Sequence, residues 1–247
     1  MPRITWTNGY IRDDDAAIYY EVHQSTQEEA PFLLLLHGNC EDMQIFKGRF
    51  EHLLPYYTVI TVDTRGHGKS SRGEKPLSYE LFANDLFTLV NKLQIGNFLL
   101  LGFSDGANTA LQFAIDHQER LAALILVGGN LNPEGFTSGS KRSIQLSLAQ
   151  NSLKGTFSKC AKERREFVEL MLNHPHVEPE QLTLVSTPTL VISGSNDMIK
   201  EEHSALIAQS LRNARHEIIP GASHFVMRDS PEAFDTLVLE FLMEDDD

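Results

Sequence analysis

Residues 102–106 read Gly102-Phe103-Ser104-Asp105-Gly106, and they stand between two segments of different pattern. The run FLLLGF (98–103) is continuously apolar at its start, as expected for a strand buried on both faces. ANTALQFAIDH (107–117) is helix-compatible and rich in small residues, so it predicts a helix that packs close to a sheet. A G-x-S-x-G placed at a strand-to-helix corner turns so sharply that its serine takes a strained backbone conformation. Small residues two before and two after the serine avoid collisions with neighbouring chain. The serine oxygen then projects above the sheet, at a helix N-terminus whose dipole favours negative charge. An ordinary Gly/Ser turn would need neither flanking element.

The alternation continues in both directions. YYEVH (19–23) alternates and reads as an antiparallel edge strand. FLLLLHG (32–38), YTVITVD (57–63), LAALILVG (121–128) and PTLVISG (188–194) read as buried strands, and HEIIP (216–220) as a shorter one. Between them, 81–93, 203–211 and 231–242 carry helical patterns, the last opened by Ser230-Pro231. The expected fold class is α/β, a mostly parallel central sheet with helices on both faces. From 131 to 185 no strand is evident, and Phe167, Leu170 and Met171 fall at helical spacing. This predicts a core of residues 1–130 and 186–247 with a small helical insertion at 131–185.

Composition narrows the class. The 247-residue chain carries a net charge of −13, which argues against a nucleic-acid partner. No apolar stretch approaches the roughly 20 residues of a bilayer span, and MPRITWTNGY has no apolar signal region. Two cysteines, Cys40 and Cys160, suit a reducing compartment, so the expected location is cytoplasmic, with no membrane partner. The acidic end, Glu244 to Asp247, reads as a solvated tail, and Asp13-Asp14-Asp15 as a turn between strands. His174 and His176 have no further Cys/His cluster beside them, and no metal is expected.

VITVDTRGHGKS (59–70) invites a phosphate-loop reading through Gly68-Lys69-Ser70. That loop would need a glycine at position 63, which is Asp63, and a helix after Ser70. Gly73 and Pro76 break the chain there instead.

A nucleophilic serine needs a base and a group that orients the base. In this architecture they follow in the order serine, carboxylate, histidine. Asp197 comes just after the strand PTLVISG, and His224 just after HEIIP. Both therefore lie where the carboxyl ends of parallel strands gather their loops, beside Ser104. The candidate catalytic residues are Ser104, Asp197 and His224. Oxyanion donors are expected from the backbone N–H of Asp105 and from that of Asn39, in the loop after LLLLHG. Gly38 would allow that backbone to approach closely, and His37 would tie the loop.

With these landmarks in place, LLLLHGN, VDTRGHGKS, GFSDGA, VISGSND and GASHF match in order, and the chain resembles the α/β-hydrolase superfamily over essentially its whole length. The resemblance makes D-x-R-G-x-G-x-S a structural turn, matched by Asp63, Arg65, Gly66 and Gly68, with Lys69 at a variable position. It implies that the insertion is a cap. Phe136, Ile144 and Leu148 either line a pocket beneath that cap or form its core; Phe103 and Phe225 are further candidate substrate contacts. Dehalogenases and epoxide hydrolases of the superfamily use an aspartate where this chain has Ser104. Serine implies acyl transfer on a small-molecule ester or carbonyl substrate without a cofactor. The expected activity is that of a carboxylesterase on small acyl esters. A C–C bond hydrolase of dienoic or diketone substrates and a non-catalytic ligand-binding protein stay open beside it, and an acyl-enzyme could also be intercepted in acyltransferase or perhydrolase side reactions. Oligomeric state is not legible.

Overall fold

The four leucines Leu33 to Leu36 are buried, and they alternate between two apolar cores, one on each face of a central sheet. The computed structural model describes residues 6–155 and 159–244. Its strands are β1 (Trp6–Asp13), β2 (Ala16–His23), β3 (Phe32–Leu36), β4 (Thr58–Val62), β5 (Phe98–Phe103), β6 (Leu121–Val127), β7 (Thr189–Asn196) and β8 (Ala214–Ser223). They form one sheet in the order β1-β2-β4-β3-β5-β6-β7-β8. Pairing is parallel from β4 through β8, as in Leu34↔Ile60, Leu35↔Leu101 and Leu126↔Val191. The hairpin β1–β2 joins antiparallel through Tyr20↔Val62.

The helices are α1 (Tyr79–Lys92), α2 (Asp105–His117), α3 (Ser138–Gly155), α4 (Lys159–Asn173), α5 (Pro179–Leu182), α6 (Glu201–Ser210), α7 (Val226–Asp229) and α8 (Pro231–Met243). On one face Leu34, Leu36, Ile60 and Leu100 pack with Leu86 and Val90 of α1, Ala107 and Ala110 of α2, and Ile207 of α6. On the other, Leu33, Leu35, Leu101 and Ile192 pack with Phe234 and Val238 of α8. Ser78 caps α1 by accepting from Leu81 N at 3.1 Å. Both faces are covered, which is why the central strands are apolar without alternation.

YYEVH lies within β2, which is not an edge strand: β1 takes that place. In β1 only Ile11 is buried, while Trp6 and Tyr10 are exposed, so β1 carries no apolar alternation to announce it. The turn at Asp14-Asp15 joins the two, with Asp14 at φ 47°. HEIIP lies within the longer β8. Residues 131–185 contribute no named strand among the described residues, only a single bridge from Phe136 to Ile199. Of the acidic end, residues 245–247 lie outside the described residues, as do residues 1–5. No helix among the described residues is long and apolar enough to cross a membrane.

The strand order fixes where a site can form. From β3 the chain crosses to β4 on one side and later to β5 on the other. The loops leaving β3 and β5 therefore diverge and open a crevice at the carboxyl ends of the strands.

Candidate active site

Ser104 sits at that crevice, between the end of β5 and the start of α2. Its backbone has φ 55° and ψ −117°, a conformation that costs on the order of 1–3 kcal/mol for a non-glycine residue. The surroundings hold it there. Ser104 N donates to Val127 O at 2.8 Å, and Ser104 O accepts from Ala107 N at 2.8 Å. A Cβ on Gly102 would run into the carbonyl of Gly106, and one on Gly106 into the carbonyl of Leu36. Both glycines are therefore required by close backbone approach.

Ser104 Oγ lies 3.0 Å from His224 Nε2, and His224 Nδ1 lies 2.7 Å from Asp197 Oδ1. His224 follows β8, and Asp197 follows β7, as the sequence indicated. Burial alone would raise the Asp197 carboxyl; the hydrogen bond and charge of His224, with the N–H groups of Ile199 and Gly194, outweigh it and hold the group below its ordinary value. An ionised Asp197 accepts from Nδ1–H, which leaves the Nε2 lone pair facing the serine hydroxyl. Phe103 lies buried against the imidazole, ring centroids 5.0 Å apart.

One residue of this arrangement is absent from the sequence reading. Gly128, at φ 63° just past β6, faces the imidazole: a Cβ there would be 2.8 Å from His224 Cε1. The glycine pair that ends LAALILVGG was its only signal.

The loop after β3 lies beside the strand-to-helix elbow that carries Ser104. A Cβ on Gly38 would be 3.1 Å from Ser104 Cβ. His37 ties the loop as expected: its Nε2 accepts from Thr64 N at 3.1 Å. Cys40 N donates to His67 Nε2 at 3.1 Å, and Gly38 N to Glu41 Oε2 at 3.2 Å. Among the described residues no acceptor engages the backbone N–H of Asn39 or of Asp105. Glu41 was not singled out from sequence. Burial pushes its carboxyl up to about 7, against the Gly38 N–H and the nearby His224, which lower it. The Asp105 side chain is buried and accepts from Asn39 Nδ2 at 2.7 Å and Tyr79 OH at 2.9 Å. Burial raises it to about 6, although both donors favour the ionised form.

Phe225 lines a cleft of about 380 Å³ together with Glu41, Ile45 and Met227, one residue away from the Ser104–His224 pair. Phe136 belongs to an apolar cluster that joins the helical insertion, through Val168, to Ile199 after β7. Ile144 shares that core and also borders a second cleft of about 360 Å³ that reaches Asn39. The insertion rests on the site loops: the Phe167 ring lies 4.0 Å from that of His67, tilted by 39°, and Arg72 pairs with Glu166 at 2.9 Å.

The loop after β4 is tied by its own side chains. Asp63 Oδ2 accepts from Lys69 N at 2.8 Å, and Asp63 Oδ1 from Met43 N at 2.9 Å. Lys69 Nζ reaches Tyr19 OH at 3.0 Å. Arg65, fully buried, joins this loop to α1 through Asp85 at 2.7 and 2.8 Å and to the β1–β2 turn through Asp15 at 2.5 Å. Among the described residues no three His, Cys, Asp or Glu side chains converge as metal ligands.

Comparison with known proteins agrees with this architecture. A putative esterase/lipase of Haemophilus influenzae is 26% identical over 96% of this chain and 92% of its own. Epoxide hydrolase 3 of Xenopus tropicalis is 25% identical over 96% of this chain and 78% of its own. The crystal structure of the enol-lactonase from Burkholderia xenovorans superposes with a TM-score of 0.79 at 21% identity, covering 96% of this chain and all of that one. The family model described as the alpha/beta hydrolase fold matches residues 31–168. The chain belongs to the α/β-hydrolase fold family.

Proposed function

We propose that the protein is a serine hydrolase acting through an acyl-enzyme, and that its substrates are small carboxylic esters. The observation that carries the reading is the chain of contacts from Ser104 Oγ to His224 Nε2 at 3.0 Å and from His224 Nδ1 to Asp197 at 2.7 Å. The similarity to a putative esterase/lipase over nearly the whole length supports it. The resemblance implies an aspartate at this position in epoxide hydrolases, whereas this chain has Ser104, so the similarity to epoxide hydrolase 3 is not taken as that activity.

In this reading Ser104 Oγ attacks the ester carbonyl carbon as its proton passes to His224 Nε2. The carbonyl π pair moves to oxygen, and the oxyanion is held by the N–H groups of Asn39 and Asp105. Collapse breaks the bond to the alcohol oxygen, which takes the proton from Nε2. Water then gives a proton to His224 while its oxygen bonds to the acyl carbon. The second oxyanion collapses, Ser104 Oγ leaves and recovers the proton, and the carboxylic acid is released. Asp197 stays ionised throughout and stabilises the imidazolium.

The test is a panel of p-nitrophenyl acetate, p-nitrophenyl butyrate and a ring-cleavage dienoate on wild type and Ser104→Ala, with a fluorophosphonate probe. Turnover of the esters with labelling at Ser104 is expected. Cleavage of the dienoate alone would replace the ester by a C–C bond. An unlabelled Ser104 in a protein that still binds a small molecule would make it a non-catalytic binder.

A further inference from the structure

We propose that Asp105 is a positioning residue: through the Asn39 side chain it fixes the backbone N–H of Asn39 toward the oxyanion and links it to helix α4. The proposal rests on the serine-hydrolase reading above. Its basis is a hydrogen-bonded chain that crosses four parts of the fold. Asp105, first residue of α2, accepts from Tyr79 OH of α1 at 2.9 Å and from Asn39 Nδ2 at 2.7 Å. Asn39 Nδ2 also donates to Phe167 O of α4 at 3.0 Å. Both amide hydrogens of Asn39 are thereby used, so its side chain has one orientation.

The chemistry of position 105 is matched to this task. Asn39 Nδ2 and Tyr79 OH both donate to it here, and a carboxylate accepts on both arms, whereas a carboxamide would accept on one arm only and would have to turn the Tyr79 hydroxyl into an acceptor. A carboxyl kept in a site only 6% exposed is costly, and burial indeed raises it to about 6. A residue that breaks the burial rule beside a reacting centre is expected to have a functional reason. The backbone on either side of Asn39 is already pinned, by Gly38 N to Glu41 and by Cys40 N to His67. The Asn39 side chain is the remaining fixing point of this loop, and Asp105 and Phe167 hold it.

The experiment is a kinetic double-mutant cycle with Asp105→Asn, Asn39→Ala and the double variant. It is read as kcat and KM on p-nitrophenyl acetate and as the affinity of phenylboronic acid, which forms a tetrahedral adduct on Ser104. Each single variant is expected to lower kcat by on the order of 10–100-fold with KM little changed, and to weaken the boronate in parallel, since loss of a whole oxyanion donor costs about 10²–10³. The double variant is expected to lose no more than the larger single loss, because the two residues act as one unit. Thermal melts separate this from general destabilisation. Asn39 lies on a loop, so Asn39→Ala carries the kcat–KM and boronate test alone should Asp105→Asn not fold. Losses that multiply in the double variant, or an Asp105→Asn that melts earlier with unchanged kcat, overturn the proposal. A wild type that neither turns over the ester nor labels at Ser104 overturns the serine-hydrolase reading, and the positioning role with it.

Discussion

Ser104 and Gly128 make opposite demands on a side chain at the same centre. At Ser104 a side chain must be present: Ser104→Ala removes the oxygen proposed to attack and leaves the strand-to-helix turn intact, so turnover is expected to fall on the order of 10⁶-fold. The thermal midpoint should change little, which ester kinetics beside circular dichroism melts will read. At Gly128 a side chain must be absent: a Cβ there would be 2.8 Å from the imidazole, on a backbone at φ 63° that disfavours side chains. Gly128→Ala is expected to push His224 off its line to Ser104 and lower kcat about 100-fold, the cost typical of a misplacement near 1 Å. Stopped-assay kcat with fluorophosphonate labelling rates checks it: unchanged labelling would show that the ring accommodates the methyl. Ser104, Asp197 and His224 were legible because each stands at the end of a strand that the apolar pattern reveals. Gly128 was not, because the atom it makes room for belongs to a residue far along the chain. The Asp105 carboxylate escaped for the same reason: its donors, Asn39 and Tyr79, sit on two other elements.

Arg65 shows what holds the site-bearing elements to one another. Its guanidinium is fully buried and meets Asp85 through two hydrogen bonds, which keep it cationic against the burial that opposes its charge. Asp85→Ala would leave that charge unpaired on its inner side. The expected loss is about 3–5 kcal/mol, measured as the shift in urea midpoint. Asp15 is 28% exposed on its side chain, so its charge is partly screened by solvent and Asp15→Ala should cost less. A variant Asp85→Ala as stable as wild type would show that α1 and the β4 loop are joined by packing alone. The motif D-x-R-G-x-G-x-S indicated such a tie, but its partners Asp85 and Asp15 carried no local signal. At the level of elements, strands buried on both faces were the readable ones. β1 was missed because its alternate residues face water on an outer strand, where the sequence is free to be polar.

For the molecule as a whole, the acidic side of the stability profile is set by carboxyls displaced in opposite directions. Glu41 is raised from 4.5 to about 7, mainly by burial. The stability it contributes is therefore fully present below its unfolded value and is lost as pH rises through about 7. Asp197 is held low, so its contribution is present above the unfolded value and is lost as pH falls through the folded one. Wild type should thus gain on Glu41→Gln as pH falls from about 7.5 to 5, read as the difference between their urea midpoints. A difference that stays constant over that window would mean that Glu41 is hydrated and ordinary.

The pairing of β6 with β7, as in Leu124↔Thr189, closes directly across the helical insertion. The sheet is thus zipped shut on both sides of a detour, and the entropy of closing a detour grows only with the logarithm of its length. Doubling it costs only about 0.6 kcal/mol. The sheet is insulated from that length, so the insertion can grow at small thermodynamic cost as long as α4 keeps its contacts to Asn39 and His67.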